Sequence, residues 1–352
     1  MRIGLVASPF IPVPPLRYGG TELFVANLAK GLKQLGVEPI IYTNGASTAD
    51  AEIRWKYAEP EWPLSSESAG LTKELDHLSW SLMDAGSDCD LVHVNSSPAV
   101  TYSRFLPVPM CCTIHHPYNA DLNRLYEEYS DTHYAAISHD QASWLESIGP
   151  EVIPHGLDMD LYRFREEKQP YLSFLGRICP IKGTHVAIEI AKRAGIPLKI
   201  AGEIQPIYQG YFDSKIRPHL DGRNVEFVGE ADAALKNELL GNSMGMLFPI
   251  QWAEPFGMVM VEAMACGTPV IAFAGGAVAE VVSNGISGRI CENIEEAVHT
   301  VTHERFRPRQ VRNWAEEKFS VERMADDYLR YYNDILEGPT LLPSKMPRSE
   351  AA

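Results

Sequence analysis

A chain of 352 residues with 45% apolar residues has the length and composition of a globular protein of two domains. Its net charge of −15 argues against nucleic acid as a partner and against docking on anionic membrane, because both need a basic surface. Six cysteines without a CxxC pair indicate reduced thiols, and the start MRIGLVASPF does not have the pattern of a signal peptide. We therefore expect a cytoplasmic protein with no strong membrane anchor.

In the first half of the chain, short apolar runs alternate with segments of helical periodicity. The strands predicted from these runs are RIGLVAS, EPIIYTNG, DLVHVNSS, PMCCTIHHP, HYAAISHD and EVIPHGLD. The predicted helices are TELFVANLAKGLKQLG, which ends at Gly36, and GLTKELDHLSWSLMDAG. This alternation predicts βαβ units and a parallel sheet.

The alternation restarts after a polar junction, DMDLYRFREEKQP. The strands predicted in the second half are YLSFLG, PLKIAGE, NVEFVGE, MGMLFPI, PVIAFAGG and GRIC. The predicted helices are THVAIEIAKRAG, DAALKNELLGNS, GMVMVEAMACG and VERMADDYLRYYNDIL.

These elements predict an α/β protein with two Rossmann-like, doubly wound parallel-sheet domains. We place the domains at residues 1–160 and 161–320, a final helix at about 321–336, and a Pro- and Ser-rich, disordered tail at 337–352. Two such domains would face a central cleft. Ligands of such sheets bind outside the carboxyl ends of the strands, so candidate site residues are sought there.

The segment EPFGMVMVE places two acids around the start of a predicted helix. Gly257 allows a tight turn, and the backbone amides of Gly257, Met258 and Val259 would then begin the helix. Such a helix start binds anions, whereas carboxylates beside a bound anion are suited to accept hydrogen bonds from hydroxyl groups. Glu254 and Glu262 are therefore candidates for holding sugar and ribose hydroxyls on either side of a diphosphate.

In each half, a further candidate ligand-binding loop follows the first strand. GRICPIKG supplies Arg177 and Lys182, and a guanidinium with an ammonium at a ligand edge suits a diphosphate. YGGTE supplies Gly19 and Gly20, which would let the backbone approach a ligand, although a plain flexible loop explains the same residues.

Histidines end one strand of the first half. In TIHHP, His115 could donate a hydrogen bond to a sugar hydroxyl or a phosphate oxygen, with His116 as the alternative in register. A histidine satisfied in the core is the competing interpretation for either residue.

Two Asp-X-Asp triplets are candidate motifs for a metal. The first, at residues 88–90, precedes a strand and so lies at the wrong edge of the sheet, and Asp158 in the second, at 158–160, is suited to fix a turn. We therefore predict no metal site.

The motifs, in their order along the chain, resemble those of family 4 retaining glycosyltransferases of the GT-B fold. YGGTE, HGLD, GRICPIKG, EPFGMVMVEAMACGTPVIAFAGG and NGISGRI occur in the order and spacing of that family. The resemblance implies catalytic roles for Glu254, His115, Arg177 and Lys182. It also implies donor binding by a larger set, which comprises Gly19, Gly20, Arg177, Lys182, Gly229, Ala231, Glu254, Phe256, Gly257, Met258, Val259 and Glu262.

The function implied by this resemblance is transfer of a hexose, with glucose as the first choice, from a UDP-sugar to an acceptor hydroxyl. The reaction would retain the anomeric configuration and need no cofactor or metal besides the nucleotide sugar, with UDP as product. The acceptor stays open between a polysaccharide, a lipid-linked sugar and a small molecule. The alternatives are another GT-B enzyme, such as an epimerase or a phosphorylase, and a non-catalytic partner subunit that binds nucleotide sugars.

Overall fold

The computed structural model describes residues 1–17, 19–62, 64 and 67–338, and contains two parallel sheets, each covered by helices on both faces. The strands of the first sheet are β1 (Arg2–Val6), β2 (Glu38–Asn44), β3 (Glu52–Tyr57), β4 (Leu91–Val94), β5 (Met110–Ile114), β6 (His133–Ala136) and β7 (Glu151–Val152). They lie in the order β3-β2-β1-β4-β5-β6-β7. The helices of this half are α1 (Gly20–Gln34), α2 (Glu67–Asp88), α3 (Ala120–Glu128) and α4 (His139–Ser143).

The second sheet has the order β10-β9-β8-β11-β12-β13. Its strands are β8 (Gln169–Leu175), β9 (Leu198–Ala201), β10 (Val225–Gly229), β11 (Ser243–Phe248), β12 (Val270–Phe273) and β13 (Gly288–Cys291). The remaining helices are α5 (Thr184–Ala194), α6 (Gln209–Tyr211), α7 (Ala233–Asn242), α8 (Met258–Ala265), α9 (Val278–Val281), α10 (Ile294–His303), α11 (Pro308–Phe319) and α12 (Val321–Glu337).

Alternate residues of the strands feed separate cores on the two faces of each sheet. In the first sheet, Leu5 packs with α1 on one face, whereas its neighbour Val6 packs with α2 on the other. In the second sheet, α5 and α10 cover one face, and α7, α8 and α11 cover the other. The predicted pair of Rossmann-like sheets is confirmed.

Helix α12 returns to the first sheet and completes its core. Met324, Tyr328 and Tyr332 are buried against α1 and β1. A buried polar chain ties the same helix to the sheet: the Tyr332 hydroxyl lies 2.5 Å from Nδ1 of His93, whose Nε2 lies 2.7 Å from the Thr113 hydroxyl. These bonds satisfy polar groups that would otherwise be buried without partners.

The chain crosses between the two sheets twice, and the crossings lie side by side. The Leu157 amide donates to Phe319 O at 2.8 Å, and the Val321 amide donates to Leu157 O at 3.1 Å. The predicted strand EVIPHGLD is therefore wrong beyond Val152, because its later residues form the first crossing. The sequence prediction also missed β3 and six helices, namely α3, α4, α6, α9, α10 and α11.

The predicted disordered tail, 337–352, falls outside the described residues except at its start, where Glu337 still belongs to α12. Among the helices within the described ranges, none combines the length and apolar character required to cross a bilayer.

Candidate active site

The loop between β11 and α8 presents a helix start at the carboxyl edge of the second sheet. Gly257 adopts φ +87°, a conformation that favours glycine, and α8 begins at the next residue with no side-chain cap. A Cβ atom at Gly257 would lie 2.6 Å from the Met260 side chain. The turn therefore requires glycine and leaves the first amides of α8, at Met258 and Val259, as an anion-binding feature.

Glu254 lies in the same loop and is held by two donors. The residue is 7% exposed, and its Oε2 accepts from Lys182 Nζ at 2.5 Å and from Trp252 Nε1 at 2.8 Å. Lys182 Nζ also lies 4.9 Å from the centre of the Trp252 ring. Three side chains from two loops therefore form one closed cluster.

The loop that carries Lys182 is packed directly against the Glu254 loop. Gly183 has φ +73°, and a Cβ atom there would fall 1.9 Å from Pro249 O. The Gln251 amide donates to Ile181 O at 2.8 Å, which fixes the two loops together. Glycine at 183 thus brings the ammonium to the carboxylate.

Arg177 follows β8 at the same edge of the sheet. Its Nη1 lies 3.5 Å from Gln205 Oε1, and its buried Nε has no hydrogen-bond partner among the described residues. An unpaired buried donor of a guanidinium favours an additional anionic partner.

Glu262 lies one turn inside α8 and is almost completely buried, with 1% exposed. Its Oε1 accepts from the Tyr162 hydroxyl at 2.8 Å and from Lys236 Nζ at 2.9 Å. Its Oε2 is also buried, and no partner for it exists within the described part of the chain. The carboxylate thus retains acceptor capacity for a hydroxyl group.

On the side of the first sheet, the hydrogen bonds of His115 define its tautomer. Asn95 donates through Nδ2 to Val6 O at 3.1 Å, which turns its Oδ1 toward His115 Nε2 at 2.8 Å. Burial, followed by the nearby His116, lowers the pKa of His115 to about 3. The neutral ring therefore donates through Nε2, and Nδ1 is left as an acceptor, so the prediction that His115 donates to a ligand is wrong.

His116 differs from its neighbour because both of its ring nitrogens are engaged. Nδ1 lies 2.6 Å from Pro117 O, and Nε2 lies 2.6 Å from the Tyr126 hydroxyl. Of the two alternatives left open by the sequence, only His115 keeps a ring nitrogen for a ligand.

A row of aromatic rings connects the two sheets. The His155 ring stacks on His115 with centroids 5.2 Å apart and meets Phe256 edge-on at 5.0 Å. Phe256 also packs on Phe319 and is only 3% exposed. Its side chain is therefore part of the junction between the domains, and a donor would meet Phe256 through its backbone.

The remaining glycine-loop candidates lie near a contact between the two halves. Gly19, with φ +145°, directly precedes α1, which begins at Gly20. Gly229 ends β10 with φ +86°, and Ala231 is buried behind it. Between these loops, the Arg17 guanidinium lies 3.6 Å from the carboxylate of Glu230.

The Asp-X-Asp triplets have structural partners. Asp88 pairs with Arg2 at 3.0 Å at the amino edge of β4. Asp158 pairs with Lys30 at 2.5 Å and accepts from the Asp160 amide at 3.3 Å.

The structure brings Lys182 into contact with Glu254, but Glu262 lies in a separate cluster with Tyr162 and Lys236. Several contributors were missed by the sequence analysis. Trp252 and Asn95 both follow a strand, so the rule about carboxyl edges could have found them. Tyr162 and Lys236 carried no such signal, because one belongs to the polar junction and the other to an ordinary helix.

Both halves of the chain match family models. Residues 18–161 match the model described as Glycosyltransferase Family 4, and residues 162–303 match the model described as Glycosyl transferases group 1. The boundary between the two matches falls in the segment that crosses between the sheets.

Similarities over most of the chain agree with these matches. The chain is 30% identical to a glycogen synthase of Mycobacterium tuberculosis over 83% of this chain and 82% of that protein. Among solved structures, AviGT4, a glycosyltransferase involved in avilamycin A biosynthesis, is 26% identical, with a TM-score of 0.76 over 96% of this chain and 98% of that one. HepE from Anabaena, solved with UDP and glucose, shares the fold with a TM-score of 0.73 at 17% identity, over 95% of this chain and 100% of that one. The chain therefore belongs to glycosyltransferase family 4, and it is a glycosyltransferase of the GT-B fold.

Proposed function

We propose that the protein is a retaining hexosyltransferase that transfers glucose from UDP-glucose to an acceptor hydroxyl without a metal ion. The observation that carries this proposal is the start of α8 between two buried carboxylates, Glu254 before it and Glu262 within it. A helix start favours the diphosphate, and the carboxylates favour hydroxyl groups on either side of it. A nucleoside diphosphate sugar has this sequence of groups.

Different residues of the site would bind different parts of the donor. Glu262 Oε2 would accept from a ribose hydroxyl, and Glu254 would accept from a hydroxyl of the sugar. Arg177, Lys182 and the amides of Met258 and Val259 would stabilise the charge that grows on the leaving diphosphate. The solved complexes of HepE with UDP and glucose support a donor of this class.

His115 would act as a neutral group in this reaction. Its Nδ1 lone pair is suited to accept from a sugar hydroxyl, because Nε2 is already committed to Asn95. In a front-face substitution, an oxygen of the departing diphosphate takes the proton of the acceptor hydroxyl, so no side-chain nucleophile is required. Closure of the two domains would exclude water from the donor.

The acceptor would bind on the side of the first sheet, among the loops after β1 and β5. A polysaccharide, a glycolipid or another glycoconjugate is the proposed product class. The similarity to a glycogen synthase over most of the chain supports a carbohydrate acceptor in the first instance.

Thermal stability against a panel of nucleotides and nucleotide sugars, with and without EDTA, tests the proposal. A ligand present at a hundred times its dissociation constant stabilises the folded state by roughly 2.7 kcal/mol. We expect stabilisation by UDP and UDP-glucose that EDTA leaves unchanged. If only another nucleotide stabilises the protein, the proposed UDP-sugar donor is wrong. Loss of binding in EDTA would overturn the metal-independent reaction.

A further inference from the structure

Trp252 contacts both charged residues of the Lys182–Glu254 pair. Its indole Nε1 donates to Glu254 Oε2 at 2.8 Å, and its ring face lies 4.9 Å from Lys182 Nζ. Both donors of the cluster therefore address the same carboxylate oxygen. Among the described residues, no hydrogen bond reaches Glu254 Oε1, which is left for another partner.

The two donors differ in what a bound diphosphate would do to them. Lys182 is a cation and would be drawn to the phosphates, which weakens its bond to Glu254. The indole is neutral, so a phosphate does not compete for it in the same way. After Lys182 has turned to the diphosphate, Trp252 would remain to hold the carboxylate in place, while its ring keeps a favourable surface beside the ammonium.

The backbone of the loop that carries Trp252 is held by contacts that do not involve the indole. The Ala277 amide donates to Glu254 O at 2.9 Å, and the Gln251 amide donates to Ile181 O at 2.8 Å. Gly275 packs so closely that a Cβ atom there would lie 2.5 Å from Trp252 O. Replacing the indole therefore leaves the support of the loop intact.

We propose that Trp252 is a positioning and specificity-determining residue, which holds Glu254 Oε2 so that Oε1 faces a hydroxyl of the donor sugar. The inference rests on the proposed function, because it needs a nucleotide sugar in this site. It predicts that replacing Trp252 changes the preference between donor sugars and the rate of turnover, but not the affinity for the nucleotide.

The test compares Trp252→Phe with a matched control, Trp314→Phe. Trp314 also donates its Nε1 to an oxygen, Val281 O at 2.9 Å, and also has a lysine, Lys318, over its ring at 5.6 Å. Both changes therefore remove one indole N–H and keep a ring beside a lysine. The measurements are the dissociation constant of UDP and the slow rates of UDP release from UDP-glucose and UDP-galactose with water as the only acceptor.

We expect Trp252→Phe to slow UDP release from UDP-glucose by roughly tenfold or more and to reduce the preference between the two sugars, with UDP affinity within about twofold of wild type. In the double variant Glu254→Gln, Trp252→Phe, the second change should add little, because both act through one carboxylate. Trp314→Phe should match wild type.

Three results would overturn the inference. The first is equal behaviour of the two phenylalanine variants, and the second is a loss of UDP affinity that parallels the loss of sugar selectivity. The third is additive effects in the double variant. Failure of the proposed function has a different signature, since wild type itself would then bind neither UDP nor UDP-glucose.

Discussion

Lys182 Nζ and Glu254 Oε2 lie 2.5 Å apart in a largely buried ion pair, so each neutralises the other before a donor binds. Breaking a buried pair leaves a charge without compensation unless a ligand replaces the lost partner. A nucleotide sugar would supply both replacements, the phosphate for Lys182 and a hydroxyl for Glu254. Donor binding and rearrangement of this pair are therefore coupled in the proposed reaction.

Glu254→Gln should reduce turnover by roughly a hundredfold while UDP affinity stays the same or rises, because the change frees Lys182 for the phosphates. Calorimetric titration with UDP and the rate of UDP release from UDP-glucose measure the two effects. Glu304→Gln is a control in the same domain, since Glu304 forms an ion pair with Arg289 at 2.8 Å outside the cluster. Equal loss of UDP affinity and turnover would show that Glu254 does not act on the sugar.

Arg177→Ala should weaken UDP binding by roughly tenfold to a hundredfold, the range expected for hydrogen bonds to a charged group. Its Nε is buried without a partner within the described ranges, so the structure offers the guanidinium little else to bind. The UDP dissociation constant is the measurement. Arg193→Ala serves as the control, because Arg193 is an exposed side chain paired with Glu189 at 2.6 Å. An unchanged constant in Arg177→Ala would move the phosphate site elsewhere.

Glu262→Gln should weaken UDP by roughly tenfold and remove most of the preference for UDP over 2′-deoxy-UDP, since one hydroxyl contact is lost. Its Oε2 is a buried acceptor without a partner in the described part of the chain. Glu226→Gln is the comparison, because Glu226 also faces a lysine, Lys199 at 4.0 Å, but in an exposed position. If the preference survives in Glu262→Gln, the ribose is bound by another group.

Glu22, in the first turn of α1, is the basis of a pH prediction. Burial raises its pKa from 4.5 to about 7, partly opposed by its own backbone hydrogen bond. Between these values the folded state binds more protons than the unfolded state, so the stability that Glu22 contributes is complete below pH 4.5 and is lost as the pH rises through 7. The loss amounts to about 3 kcal/mol.

Glu22→Gln should therefore gain stability relative to wild type by about 2–3 kcal/mol between pH 5 and pH 8. Urea unfolding of both proteins at the two pH values measures the difference. The buried histidines cancel in this comparison because both proteins contain them. Glu38→Gln, which changes an exposed side chain, should show no such trend, and the same trend in both variants would contradict an ionisation of Glu22.

Sequence reasoning reached the fold because burial on both faces leaves continuous apolar strands, as in β5 and β11. It failed at β3, whose EIRWKY mixes charged and aromatic residues, because an edge strand of this sheet is buried only in part. It also extended β7, the strand after β6, beyond its end at Val152. Pro154 and Gly156 fit a crossing as well as a strand, and only the pairing of Leu157 with Phe319 and Val321 decides between them.

For the site, the local motifs led to Glu254, Glu262, Arg177 and Lys182, because each follows a strand or lies near the start of a helix. The contacts between them could not be predicted in the same way. Tyr162 meets Glu262 across 100 positions of sequence, a separation at which no periodicity relates two residues. The choice between His115 and His116 likewise depends on Asn95 and Tyr126, which only the folded chain brings to the two rings.

The return of α12 to the first sheet also has a consequence for synthesis on the ribosome. Tyr328 and Tyr332 fill the core beside Phe24, yet they are translated after the entire second sheet. The apolar face of α1 in the nascent first domain therefore stays uncovered while more than half of the chain is still being made. Because exposed apolar surfaces favour misassembly, we expect the emerging chain to depend on a chaperone until residue 337 has left the exit tunnel.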